Sequence, residues 1–280
     1  MLRIVTDGTV DVPKEWIDDY DIHVIPFPIQ FGSRTYLQGV DLSDEEFYRL
    51  VRLNGVVPKT SLPSLGQFLQ FYPTVAQLGD TILSLHVSSK MSGTYNAAVT
   101  AARELADRFH IIPYDSLCGS AGLGFMCQEA RLLERAGASL QDILDRLDFI
   151  RKNVSIILTL DNLEFARMSG RISYLKAALV SLLSVKPIIV LKDGLLNMGD
   201  RARTRKHSIE RVLDLARQRV GEQVVNVAVV HCNDLEAARA MMEQVKTLFH
   251  TQELILTDLS IAVAANLGPG TVGIVLYPVE

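Results

Sequence analysis

The chain has 280 residues, of which 48% are apolar and 21% charged, so it is long enough to bury one large core or two ordinary ones. A net charge of −4 and an isoelectric point near 5.9 argue against a general nucleic-acid or anionic-membrane binder. Three cysteines without C-x-x-C spacing favour a reducing compartment over a disulfide framework or a zinc site. With no signal-peptide pattern and no run of about 18 apolar residues, we expect a soluble, cytoplasmic protein without a transmembrane segment.

In the first half of the chain, short apolar strands alternate with amphipathic helices. Strands are predicted at 2–7, 22–31, 81–89 and 109–116, and helices at 43–53, 95–106, 121–137 and 139–153. Two prolines within 22–31 are incompatible with a helix, so this segment is predicted to be extended. Ser43 followed by acidic residues is a typical helix start. The alternation indicates an α/β fold with a mostly parallel sheet and helices on both faces.

The second half of the chain has a different rhythm. Strands are predicted at 155–161, 224–232, 254–259 and 271–279, and helices at 205–218 and 234–248. Residues 162–184 are predicted to be helical with an interruption at Ser169-Gly170, and 186–199 form two apolar arms around Asp193-Gly194, a strong hairpin signal. We predict two α/β domains, residues 1–154 and 155–280, with a ligand site near their interface.

Three loops that follow predicted strands are rich in hydroxyl groups and glycine. Their candidate ligand-binding residues are Thr60, Ser61, Ser92, Gly93, Thr94 and Ser116. Helix N-termini at the carboxyl ends of parallel strands offer unpaired N–H groups to a carboxylate or phosphate, and hydroxyl groups add further donors. Each loop alone also has the composition that a helix cap requires, and Ser64 could cap a helix that follows the first of them. Three such loops in one sheet favour a shared polar site over three independent caps.

Other motifs give weaker signals. The segment 268–273 matches G-x-G-x-x-G, but a strand follows it, so we interpret it as a tight glycine turn rather than a dinucleotide site. His86, Ser92 and Asp115 are the residue types of a hydrolytic triad, but His86 lies in an apolar strand pattern that predicts a core position. The six histidines lack metal-ligand spacing, so no metal site is expected.

Two arginines are candidates for binding an anionic group. Arg203 belongs to a basic run at 201–211, which is either a solvated helix face or a surface that recognises carboxylates and phosphates. Arg171 directly follows Ser169-Gly170, where either a helix-end salt bridge or a position facing a ligand cleft is consistent with the sequence.

The order of these motifs resembles the DegV family across nearly the whole chain. The resemblance rests on IVTDGTVDVP at the start, KTSLPS at 59–64, SSKMSGTYNAA at 88–98, LDNLEFARMSGRIS at 160–173, the RT of 203–204 and LGPG at 267–270. Each motif is weak alone, and their order and spacing together are specific.

The resemblance implies a two-domain DegV-type fold and a function as a lipid-binding carrier. A long-chain fatty acid would lie in a buried tunnel, with no intrinsic cofactor and no catalytic residue in this chain. Thr60 and Ser92 match the family's binding hydroxyls, and Arg171 and Arg203 match positions linked to the head-group region. The family's partner is an ATP-dependent fatty-acid kinase, and its acyl-phosphate passes to the acyltransferases of phospholipid synthesis.

The sequence departs from the family pattern at three places. Asn266 stands two residues before the glycine turn, where histidine is common; an amide can donate a hydrogen bond but cannot gain a proton. Gly8 replaces a hydroxyl residue, and Leu62 replaces a frequent glutamine. These departures bear on ligand identity and kinase coupling, so two alternatives stay open: a binder of another small anionic or apolar ligand, and a Ser92-dependent hydrolase.

Overall fold

The computed structural model describes residues 1–55, 57–161, 163–173 and 185–280. The chain divides into two units. Unit 1 contains residues Met1–Arg151 and Ser260–Ala262, and unit 2 contains residues Lys152–Leu259 and Val263–Glu280.

Unit 1 is built around a parallel sheet. Its strands are β1 (Leu2–Asp7), β2 (Ile22–Ile25), β3 (Pro28–Phe31), β4 (Arg34–Leu37), β5 (Lys59–Thr60), β6 (Thr81–His86) and β7 (His110–Asp115). Its helices are α1 (Lys14–Asp19), α2 (Asp44–Asn54), α3 (Leu65–Val75), α4 (Thr94–Glu104), α5 (Ser120–Arg135) and α6 (Leu140–Asn153). The strand order β2-β1-β6-β7 forms an all-parallel sheet of four strands, and β4-β3-β5 forms a separate antiparallel sheet. The predicted α/β class with a parallel sheet is confirmed.

Alternating side chains of β1 show that helices cover both faces of the four-stranded sheet. Val5 packs in one apolar cluster with Phe68 of α3 and Ala98 of α4. Thr6, which points to the other face, lies next to Cys127 of α5. The helices begin as their sequences predict, because the side chains of Ser43 and Ser64 cap α2 and α3.

Unit 2 contains a mixed sheet of seven strands. Its strands are β8 (Ser155–Thr159), β9 (Ile172–Ser173), β10 (Lys186–Lys192), β11 (Leu195–Ala202), β12 (Val224–His231), β13 (His250–Asp258) and β14 (Val272–Pro278), in the order β13-β12-β14-β8-β10-β11-β9. Its helices are α7 (Glu164–Ser169), α8 (Arg205–Val220), α9 (Leu235–Leu248) and α10 (Ile261–Leu267), the last of which begins in unit 1. Helices α8 and α9 pack on the sheet through an apolar cluster that includes Val212 and Met241.

The predicted hairpin is confirmed, and so is the break after Ser169. Asp193 and Gly194 both have positive φ, 52° and 78°, the conformation of a type I′ turn that joins β10 to β11. Helix α7 ends at Gly170, whose φ is 68°, and β9 follows instead of a second helix. The predicted helical residues 174–184 lie outside the described residues.

Several elements of the structure were not predicted, among them α1, β4, β5 and α10. Helix α1 and strand β4 are short, and α10 is a seven-residue apolar run without the polar face that marks an amphipathic helix. Within the described part of the chain, no helix is long and apolar enough to cross a bilayer.

Candidate functional site

Three loops of unit 1 meet beyond the carboxyl ends of β1, β6 and β7. We call this region the carboxyl edge, and it comprises residues 7–11, 87–94 and 115–120. The Ser88 N–H donates to the Cys118 carbonyl at 2.8 Å, and the Ser120 N–H donates to the Thr9 carbonyl at 3.0 Å. Backbone hydrogen bonds therefore join all three loops, which is the position where parallel sheets commonly bind ligands.

Asp7 lies at the centre of the carboxyl edge and is fully buried. Its Oδ1 accepts hydrogen bonds from the Thr9 N–H at 3.0 Å and the Thr9 hydroxyl at 2.7 Å. Its Oδ2 accepts from the Val87 N–H at 2.9 Å and lies 3.1 Å from Nδ1 of His86. Burying a carboxylate is costly unless its oxygens are hydrogen-bonded, and these four contacts meet that need.

His86 connects Asp7 to helix α3 through two hydroxyl groups. Its Nε2 is 2.7 Å from Oγ of Ser84, which is 2.9 Å from the Tyr72 hydroxyl. All of these side chains are fully buried, and burial raises the pKa of Tyr72 well above its usual range. The predicted core position of His86 is confirmed, but His86 is part of a polar chain rather than an apolar core.

Ser92, Gly93 and Thr94 lie at the start of α4. Gly93 is the N-cap residue; Oγ of Ser92 accepts from the Thr94 N–H at 3.3 Å and lies 2.8 Å from the Thr94 hydroxyl. Thr94 is buried, whereas Ser92 and Gly93 are half-buried. Because the first N–H groups of a helix lack intrahelical acceptors, this position combines hydroxyl groups with a partial positive charge. It is suited to an anionic group.

The loop that contains Thr60 and Ser61 contacts the start of α4. A Cβ atom placed on Gly93 would lie 3.1 Å from Cδ2 of Leu62, so the glycine allows this close approach. Thr60 is half-buried in β5, and Ser61 is exposed while its N–H donates to the Pro28 carbonyl. The structure therefore brings the loop of Thr60 next to Ser92 and Thr94.

Ser116 belongs to the carboxyl edge, but its hydroxyl serves its own loop. Oγ of Ser116 donates to the Cys118 carbonyl at 3.2 Å and lies 3.1 Å from the Cys118 N–H, and the residue is fully buried. Asp115 accepts from the N–H groups of Ser89 and Leu117. Both residues thus fix the shape of the loops.

His86, Ser92 and Asp115, the residue types of a hydrolytic triad, form hydrogen bonds with other partners. The hydroxyl of Ser92 pairs with Thr94, while His86 contacts Asp7 and Ser84. A serine nucleophile needs a base within hydrogen-bond reach, and Ser92 has none in this arrangement of the described residues.

In unit 2, the two predicted arginines lie at opposite ends of β11. The pairing of Ile172 with Leu196 places Arg171 beside the first residue of β11, whereas Arg203 follows its last residue. At roughly 3.3 Å per residue, about 25 Å separates the two positions. Both arginines are exposed, and a single carboxylate cannot contact both.

Asn266 lies near the same edge of this sheet as Arg203. It is half-buried in α10, which leads through the glycine turn into the start of β14. The start of β14 pairs with the end of β8, and the start of β10 pairs with the end of β11, so all four positions share one edge.

The glycine turn before β14 packs against the LDNLEF motif. Gly268 and Gly270 have φ of 86° and 80°, and a Cβ atom on Gly270 would lie 2.6 Å from Cβ of Asp161. Asp161 forms a 2.5 Å ion pair with Lys186. The interpretation of 268–273 as a tight turn is confirmed, and the close approach explains why glycine is required there.

Asp7, Thr9 and the polar role of His86 were not predicted as parts of a site. A local signal exists, because an aspartate at the end of a buried strand often accepts hydrogen bonds from its own loop, as Asp115 also does. Among the described residues, no cluster of histidine, cysteine and carboxylate side chains could hold a metal ion.

The comparisons with known proteins agree on one family. The profile of the DegV family, described as uncharacterised proteins, matches residues 1–279. Protein DegV of Bacillus subtilis is 30% identical over 275 residues, 98% of each chain. A DegV domain-containing protein of Deinococcus radiodurans is 32% identical over 284 residues, 100% of this chain and 99% of the relative.

Solved structures with the same fold are described as fatty-acid-binding proteins. A fatty-acid-binding DegV family protein from Thermus thermophilus has a TM-score of 0.89 at 29% identity, with 99% of each chain covered. A stearic-acid-binding protein from Eubacterium ventriosum has a TM-score of 0.89 at 26% identity, covering 99% of this chain and 98% of that one. This chain belongs to the DegV family.

Proposed function

We propose that this chain binds a long-chain fatty acid and holds its carboxylate through Ser92, at the carboxyl edge, and through Thr60, in the adjoining loop at the end of β5. The observation that carries the proposal is the contact between their two loops at the N-terminus of α4, where hydroxyl and N–H donors converge. Fatty-acid binding by relatives that share the fold over nearly their whole length supports it.

The energetics of such a ligand fit a site of this kind. Burying the acyl chain contributes about 0.8 kcal/mol per methylene, so roughly 15 methylenes contribute about 12 kcal/mol before the costs of binding. The carboxylate needs hydrogen-bond donors, because an unpaired buried carboxylate costs many kcal/mol. Hydroxyl and N–H groups meet this need without a catalytic base.

The bound acid is proposed to be the substrate of a separate ATP-dependent kinase. In this proposal the partner supplies the phosphoryl group, and the acyl-phosphate goes on to the acyltransferases of phospholipid synthesis. Arg201 and Arg203 are exposed before α8 and are candidates for contacting that partner. Arg205 is already paired with Asp234 at 2.6 Å, so it has a structural role as well.

Lipid extraction from purified protein tests the binding function. Denaturing extraction and mass spectrometry are expected to find a long-chain fatty acid in stoichiometric amount. A different small molecule would favour the alternative ligand class, and well-folded protein without any lipid would contradict the proposal.

Paired variants test the assigned hydroxyls. We expect Ser92→Ala and Thr60→Val each to weaken fatty-acid binding about tenfold, which corresponds to the loss of one hydrogen bond to a charged group. Two exposed residues supply the controls: Thr100, in the helix that follows Ser92, as Thr100→Ala, and Thr35, in the same small sheet as Thr60, as Thr35→Val. Unchanged binding in both site variants would remove these residues from the site.

Kinase coupling is tested separately from lipid loading. The double variant Arg201→Glu and Arg203→Glu should reduce phosphorylation by the cognate kinase while the protein still loads lipid. Arg219→Glu, near the other end of α8, is the control for a change of charge. Equal loss of loading and phosphorylation would place the two arginines at the ligand instead of the kinase.

A further inference from the structure

Four buried side chains, Asp7, His86, Ser84 and Tyr72, form a hydrogen-bonded network next to the carboxyl edge. Its hydrogen bonds all donate in the direction of Asp7. A carboxylate only accepts hydrogen bonds, so Asp7 requires Nδ1 of His86 to be the donor. With a single proton on the imidazole, Nε2 of His86 accepts from the Ser84 hydroxyl, whose oxygen accepts from Tyr72. Every member of this network is satisfied in that order.

The two ends of this network lie near the Ser92 loop and the Thr60 loop, to which we assign the fatty-acid carboxylate. At one end, Asp7 holds the Val87 N–H, five residues before Ser92 in the loop that leads to α4. At the other end, Tyr72 lies in α3, whose N-cap residue Ser64 is in the same loop as Thr60. The network thus links the Ser92 loop to helix α3, which follows the Thr60 loop.

The position of this network on the four-stranded sheet explains why it is rigid. Ser84 and His86 alternate along β6 and face the same side, toward α3, with the imidazole edge-on to Phe68 at 5.3 Å. Both are fully buried in a close-packed region. A network in such a place maintains distances well, because its side chains cannot move without breaking packing as well as hydrogen bonds.

We propose that Asp7, acting through His86, is a positioning residue that sets the spacing of the Ser92 and Thr60 loops and thereby the preference for a carboxylate over a neutral head group. The inference rests on the proposed function. Asp7 itself acts only through the loops that it holds, because all four of its contacts are internal to the protein.

Replacing Asp7 by asparagine changes the chemistry with little change in shape. The amide group places a donor opposite either the Thr9 N–H or the Val87 N–H and the His86 imidazole. The partners on that side of residue 7 must therefore move. His86→Gln is a second variant, which keeps the Asp7 carboxylate and removes the imidazole that contacts both Asp7 and Ser84. It keeps the inference testable if Asp7→Asn does not fold.

Asp80 supplies the matched control at the other end of the same sheet. Its carboxylate accepts from the Arg3 Nε–H at 3.0 Å and the Gln77 N–H at 3.1 Å, far along β6 from Ser92. Asp80→Asn therefore removes a comparable set of hydrogen bonds without touching the carboxyl edge.

The experiment compares dissociation constants for palmitate and for hexadecanol, a neutral ligand of equal chain length, on delipidated protein. Asp7→Asn, or His86→Gln in its place, is expected to weaken palmitate binding about tenfold and leave hexadecanol binding within about twofold. Asp80→Asn is expected to keep the wild-type ratio. Equal weakening of both ligands, or an unchanged ratio, would overturn the positioning role. Wild-type protein that binds neither ligand would instead remove the proposed function, and this inference with it.

Discussion

The two ends of the four-stranded sheet are held together by different chemistry. At the amino ends of the strands, Asp80, whose side chain is 12% exposed, pairs with Arg3 at 3.0 Å and with the N-terminal amine at 3.1 Å. Arg131 also lies there and bridges Asp21 and Glu134. At the carboxyl edge, Asp7 is satisfied by backbone N–H groups, a hydroxyl and an imidazole.

The difference shows how a fold can keep one end available for a ligand. Ion pairs at the amino end are self-contained, because each carboxylate already meets a cationic group. The carboxyl edge uses backbone N–H, hydroxyl and imidazole donors and has further hydroxyl and N–H donors beside them, in Ser92, Thr94 and the N-terminus of α4. These further donors can accommodate a carboxylate without first giving up an ion pair.

The largest expected effect on stability comes from removing the Asp7 carboxylate and its four hydrogen-bond contacts. Asp7→Ala leaves the Thr9 and Val87 N–H groups and His86 without their acceptor in a fully buried place, which costs about 3 kcal/mol or more of unfolding free energy. Asp80→Ala, at the more exposed end, should cost clearly less, because water replaces the lost partner. Urea unfolding of both variants measures the contrast, and equal losses would contradict it.

A smaller effect is expected from the packing of α5 below the carboxyl edge. A Cβ atom on Gly124 would overlap Cγ1 of Val12 and lie 3.1 Å from the Asp11 carbonyl oxygen. Gly124→Ala should therefore destabilise the fold by about 1–3 kcal/mol. Gly66→Ala in α3 is the matched control, because its new methyl group would come no closer than 3.9 Å to the nearest atom outside its immediate neighbours. Thermal unfolding that ranks the two variants equally would contradict this packing.

The smallest effect concerns the pH dependence of the amino end. Hydrogen bonds from Gln77 and Arg3 lower the pKa of Asp80 from 3.8 to about 2. A depressed carboxyl pKa contributes stability that is complete above the unfolded-state pKa and is lost as the pH falls toward 2. The Tm of wild type should therefore exceed that of Asp80→Asn at pH 5, and the difference should close between pH 4 and pH 2. A difference that stays constant over this range would refute the shift.

The sequence predicted best those features that depend on neighbouring residues. The Asp193-Gly194 hairpin, the caps at Ser43 and Ser64 and the parallel strands of unit 1 all follow from short-range patterns. Short elements without a clear period, such as α10, could not be found in this way.

The candidate site was only partly predictable because its contacts span long sequence distances. Hydroxyl residues such as Ser92 and Thr60 were visible as loop composition, but their adjacency depends on Leu62 contacting Gly93. The contact between Asp7 and His86 joins residues 79 positions apart, so no local pattern reports it. The separation of Arg171 from Arg203 likewise depends on the register of β9 against β11.

The position of the bound carboxylate is the most direct test of this account. Palmitate labelled with ¹³C at its carboxyl carbon gives one resonance that reports on the donors around it. We predict that Ser92→Ala and Thr60→Val each shift this resonance in the bound state, while Asp80→Asn leaves it at the wild-type position. A resonance unmoved by both site variants would show that the carboxylate lies elsewhere and would contradict the account.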